Sequence, residues 1–168
     1  LQTYVERDVR QLLNVNNIAL FRSFIAACAG RTGQLLNLTQ LGTDVGIDAK
    51  TVKNWFSILE ASFIVYRLQP WYRNFNKRIV KTPKLYFYDT GLASYLLGIR
   101  SASDLEPHFA RGALFENFVI SELMKNQLNA GERPQFFFWK DSNSYEIDLL
   151  LDKVSSQSVV EKKKKKTI

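Results

Sequence analysis

One carboxylate constrains this chain more than any other feature. From Gly112 to Met124 the sequence is patterned as a helix. At 100° per residue, Phe115, Val119, Leu123, Ile120, Met124 and Ala113 share one broad face, and Asn117, Ser121 and Lys125 lie on the other. Glu116 falls in the middle of the apolar face. A carboxylate in a core stripe is costly unless it is paired with a cation or bound to a metal. Any fold for this chain must therefore bring Glu116 a partner. Glu122 points to the polar side and reads as solvated surface.

Strands downstream offer more carboxylates. Tyr145 to Asp152 alternates, with Tyr145, Ile147, Leu149 and Leu151 on one face and Glu146, Asp148, Leu150 and Asp152 on the other. The polar stretch Asp141 to Ser144 suits a hairpin loop after Phe136 to Trp139. A further strand, Val159 to Lys163, places Val159, Glu161 and Lys163 on one face. The order is a helix Glu116, a strand Asp148, and a strand Glu161 with Lys163. Glu146 shares the face of Asp148 and is a secondary candidate. Such hard oxygen donors suit Mg²⁺ or Mn²⁺. The ion would lower the pKa of a bound water, and a nearby lysine could orient that water.

The motifs Gly112-x-x-Phe-Glu-Asn-Phe-Val119, Phe138-Trp139-Lys140-Asp141, Glu146-Ile-Asp148 and Glu161-x-Lys163 resemble the PD-(D/E)xK nuclease-like superfamily. Within it, they are most similar to the domain of unknown function that follows the ATPase module in many prokaryotic AAA-type ATPases. The resemblance covers essentially the whole chain, because such proteins also carry a winged-helix segment before the nuclease-like core. It implies that Glu116, Asp148 and Glu161 are metal ligands and that Lys163 positions the nucleophile in phosphodiester hydrolysis. Here Lys162 replaces the expected apolar residue, inside the run Lys162 to Lys166. Many members of the superfamily have lost catalysis. A metal-dependent nuclease and a catalytically inactive scaffold, or regulatory interaction module, therefore both remain open.

Charge is distributed unevenly. Residues 1–95 carry a net +6, residues 96–161 a net −4, and the terminal lysine run brings the total to +7. The acidic part is the part with the candidate metal site, and the basic part is compatible with nucleic acid. The one cysteine, Cys28, lies in a small apolar run and reads as packing in a reducing, cytoplasmic compartment. No Cys/His set suits zinc, and no long apolar run suggests a membrane span. The segment Gly30-Arg-Thr-Gly33 lacks the Gly-Lys-Ser/Thr ending of a phosphate loop. ATP would thus bind only in an N-terminal ATPase module outside this sequence. That module of the same chain and DNA are the expected partners, with an oligomer left open. The start at Leu1 suggests a fragment, whose nuclease-like core is incomplete at its C-terminus.

The expected class is α+β: a winged helix-turn-helix followed by a truncated restriction-endonuclease-like αβββ core. Residues 1–17 read as a connector helix, 18–98 as the winged-helix domain, 99–111 as a linker and 112–168 as the nuclease-like core. In the winged helix, helices are expected over Asn17–Ala29, Leu38–Val45 and Ala49–Ala61. Asp48 should cap the last, and Gly46 should make the turn before it. Strands over Phe63–Leu68 and Lys84–Tyr88 should flank a basic, aromatic wing. Lys50, Lys53 and Asn54 on the open face could meet phosphates or base edges, and Arg73, Lys77 and Arg78 of the wing could meet backbone phosphates. The same faces also suit a protein-interaction module. Asp89 should cap a helix from Gly91 to Leu97. The lone His108 has no visible base or ligand partner and reads as surface or structural.

Overall fold

The computed structural model of the protein describes residues 18–71, 80–141, 145–153 and 156–160. The expected connector helix over 1–17, the wing residues Arg73, Lys77 and Arg78, and the pair Glu161 and Lys163 lie outside the described residues.

Three helices open the described chain: α1 (Ile18–Ala29), α2 (Leu38–Val45) and α3 (Ala49–Ala61). Their limits follow from local chemistry. Asn37 accepts a hydrogen bond from Gln40 N and starts α2. Gly46 ends it in the left-handed region at φ 76°, where a side chain would be strained. Asp48 then accepts from the N–H groups of Lys50 and Thr51 and starts α3. The turn is tight enough to demand glycine within α2 as well. A Cβ on Gly42 would come within 2.9 Å of both Ile47 O and Val52 Cγ2.

The buried side chains of α1 and α3 meet at Trp55, which receives Phe21 edge-on at 5.2 Å and packs on Phe24 at 5.6 Å. Phe24, Cys28, Leu41, Val52, Phe56 and Leu59 complete this core. Burial raises the Cys28 thiol to a pKa of about 12, as the packing role expected for it requires.

Next come β1 (Val65–Pro70), β2 (Lys84–Phe87), α4 (Thr90–Leu96), α5 (Ala102–Leu105), α6 (Arg111–Asn129), β3 (Phe136–Lys140), β4 (Glu146–Lys153) and β5 (Ser156–Val160). Asp89 caps α4 by accepting from Leu92 N. The stretch expected as a plain linker holds α5, one turn closed by a capping box between Ser101 and Asp104. The first strand begins two residues later than its pattern predicts. Phe63 takes φ 54° and is 71 % exposed, so it belongs to the turn after α3.

The strands form one mixed sheet of order β2-β1-β3-β4-β5. The antiparallel pair β1–β2 is joined to the hairpin β3–β4 through a short parallel contact of β1 with β3. Trp71 N donates to Phe138 O and Val80 N to Lys140 O, so both ends of the stretch after β1 are tied to β3. The β2 edge is covered rather than open. Gly33 N donates to Leu85 O, Leu85 N to Gln34 O and Leu36 N to Pro83 O. As a result all four residues of β2 are buried. The fold is α+β, and among the described residues no helix is long and apolar enough to cross a membrane.

Candidate acidic site around a buried lysine

Helix α6 docks on the sheet through a face that periodicity misassigns. Asn117 and Ser121, expected on the polar side, are fully buried, whereas Phe115, expected in the core, is 65 % exposed. Hydrogen-bond satisfaction explains the reversal. Asn117 Oδ1 accepts from Phe87 N at 2.7 Å, and its Nδ2 donates to Phe87 O at 3.1 Å and to Thr90 Oγ1 at 2.7 Å. The amide thus behaves as a short extra strand at the end of β2, where the backbone would otherwise be left unpaired. Ser121 is small and satisfies its hydroxyl on Phe118 O. Phe115 is turned outward, where with Phe118, Leu105 and Leu114 it lines an open cavity of about 610 Å³.

That docking carries Glu116 over β2, to the residue the sequence analysis did not single out. Lys84 is only 3 % exposed. Its Nζ lies 3.1 Å from Glu116 Oε1, 2.5 Å from Glu146 Oε1 and 3.5 Å from Asp148 Oδ1. The second Glu146 oxygen takes Lys140 Nζ at 2.6 Å. Tyr86, two residues along β2, donates its hydroxyl to the same Glu116 oxygen. Gly33 of the covering segment takes φ +74°, a backbone conformation that favours glycine, and lies beside Glu116. The site therefore joins Glu116, Glu146 and Asp148, as the sequence suggests, but around lysines from β2 and β3.

Burial is the largest influence on Lys84 and pulls its pKa down. Glu116, then Glu146 and Asp148, more than reverse this and hold the ammonium above the ordinary lysine value. For Glu146, burial pushes the pKa up, but hydrogen bonds from Lys140 and Lys84 outweigh it and hold the carboxyl below its usual value. Burial, followed by the Glu116 charge, raises the Tyr86 phenol, which stays a neutral donor. Tyr66 stacks on Tyr86 at 5.7 Å, and its buried hydroxyl has no hydrogen-bond partner among the described residues.

The oxygen-only donor set is chemically suited to Mg²⁺ or Mn²⁺. The arrangement is not. Such an ion needs oxygens at about 2.1 Å, and the Lys84 ammonium already holds the focus of all three carboxylates. Among the described residues, no group of three metal-ligating side chains is disposed to hold an ion. The described residues therefore do not fit a divalent metal while Lys84 is in place.

Lys50, Lys53 and Asn54 are exposed, opposite the buried Val52, Trp55, Phe56 and Leu59. His108 is a structural residue whose Nδ1 accepts from Ala110 N just before α6.

Comparison with known proteins gives this α+β chain a family. Residues 1–103 match a domain of unknown function (DUF8612), and residues 111–168 match a second one (DUF4143). The chain belongs to the DUF8612 family, whose match covers more than half of it. Uncharacterized proteins of Mycobacterium bovis and Mycobacterium tuberculosis are each 31 % identical to it over 153 residues, which is 90 % of this chain and 34 % of the relative. The chain thus spans about a third of the length of these curated relatives. No solved structure matches it.

Proposed function

We propose that this chain is the winged-helix and nuclease-like region of a longer, AAA-type ATPase, and that it engages DNA through α3 without cleaving it. The observation that carries this reading is the exposed face of α3. Lys50, Lys53, Asn54 and Ser57 recur at i, i+3, i+4 and i+7 on a capped helix that follows a tight glycine turn. The two lysines would neutralise phosphates, and the Asn54 amide would reach base edges. The acidic cluster would serve as a scaffold that fixes α6 to the sheet. The ATPase module would lie in the part of the relatives' length that this chain does not span.

Fluorescence anisotropy with duplex DNA across a salt series tests the reading. Binding should weaken linearly in the logarithm of salt concentration. Lys50→Ala and Lys53→Ala should each weaken it and shallow the slope by about one counterion. Binding that is unchanged by both substitutions would refute the assignment to α3.

A second reading keeps Mg²⁺- or Mn²⁺-dependent phosphodiester hydrolysis. Its specific support is the charge balance of the cluster: Glu116, Glu146 and Asp148 face only two lysines, Lys84 and Lys140. On this reading Asp148, Glu161 and Glu116 would hold the ion, and Lys163 would serve the nucleophile. A metal-dependent cleavage of DNA or RNA that Asp148→Asn abolishes would establish it.

A further inference from the structure

We infer that Lys84 is the resident cation of the acidic cluster, so that Glu116, Glu146 and Asp148 are held together by an ammonium and take no divalent ion. The inference does not depend on DNA engagement by α3, because it concerns a different part of the molecule.

Three features of the geometry lead to it. First, the carboxylates come from two separate elements, Glu116 from α6 and Glu146 and Asp148 from β4, yet all reach one Nζ within 3.5 Å. Second, Lys84 is anchored. Its backbone pairs with Leu68 of β1 on one side and bridges Leu35 on the other, and its Nζ lies 5.4 Å from the centre of the Phe138 ring. An ammonium that is 3 % exposed cannot swing to solvent without unpacking that strand. Third, oxygens around the focus already have further donors. Glu116 Oε1 accepts from Tyr86 as well as from Lys84, and Glu146 is shared between Lys84 and Lys140. A divalent ion entering the focus would meet a fixed positive charge at contact distance and would have to expel it. The junction of α6, β2 and β4 is accordingly held together without metal.

The test is Mn²⁺ titration calorimetry and thermal unfolding on the full 168-residue chain, comparing wild type with Lys84→Met, which keeps most of the length of the side chain and removes its charge. Wild type should give no saturable heat. Lys84→Met should unfold at a lower midpoint than wild type, and Mn²⁺ should not restore it. Saturable binding by wild type that Asp148→Asn removes would overturn the inference, as would a Lys84→Met as stable as wild type. If Lys84→Met does not fold, thermal unfolding of wild type decides. The same midpoint in Mn²⁺ and in EDTA supports a built-in cation, and a midpoint raised by Mn²⁺ and lowered by EDTA contradicts it. Failure of the DNA-binding proposal would appear in the anisotropy series and would leave these titrations unmoved.

Discussion

The helical half of the molecule and the α6–sheet junction are built on different rules. In α1 to α3, each boundary is set by a residue within a few positions: Asn37 and Asp48 as N-caps, Gly46 as the left-handed stop, Gly42 as the close approach. At the junction, the deciding contacts join residues far apart in sequence. Lys84 meets Glu116 across 32 positions and Asp148 across 64. Asn117 meets Phe87 across 30. The first region can lose one cap and keep its core. In the second, one missing partner strands buried polar groups that nothing nearby can satisfy.

This contrast orders the expected effects. The largest should follow Lys84→Met. Removing one member of a buried ion cluster leaves like charges facing one another, and we expect a loss of about 3–5 kcal/mol in urea unfolding. Asn117→Ala comes next, at about 1–3 kcal/mol, because both backbone groups of Phe87 lose their partner. Faster hydrogen exchange at the Phe87 amide would place that loss at the end of β2. Gly42→Ala sharpens the other side of the comparison. The added methyl meets a backbone carbonyl and Val52, and overpacking of this kind costs about 1–3 kcal/mol. Its effect should stay within the α2–α3 turn, leaving exchange around Lys84 unchanged. The smallest effect belongs to Asp48→Ala, a lost exposed cap, read as a slight lowering of the unfolding midpoint.

The two regions should also part with pH. Folded Glu146 titrates below its ordinary value of 4.5, so its stabilising contribution is present above that pH and is lost as pH falls through the lower folded value. Folded Lys84 titrates above 10.5, so its contribution is present below that pH and is lost as pH rises through the higher folded value. Stability measured against pH should therefore fall at both extremes, and Glu146→Gln should flatten the acid limb.

The same contrast explains what could be read from the sequence. The spans of α2 and α3, the caps Asp48 and Asp89 and the β3–β4 hairpin were all legible, because each rests on local chemistry. Glu116, Glu146 and Asp148 were legible as carboxylates that need a partner. Lys84 was not, since it opens a strand whose neighbours come from α6 and β4. One signal was present: Lys84, Tyr86 and Tyr88 alternate along an apolar stretch, which puts a lysine and two phenols on a single strand face. The α6 orientation was misread because periodicity ranks side chains by polarity. Asn117 is buried for the hydrogen bonds it makes, and Phe115 is left outside.

The most direct measurement is a double-mutant cycle in urea unfolding between Lys84→Met and Glu116→Gln. If Lys84 neutralises the cluster, Glu116→Gln should cost much less in the Lys84→Met background than in wild type, with a coupling energy above about 0.5 kcal/mol. Losses that add to within about 0.3–0.5 kcal/mol would mean that the two residues act independently, and the account of the junction would be wrong.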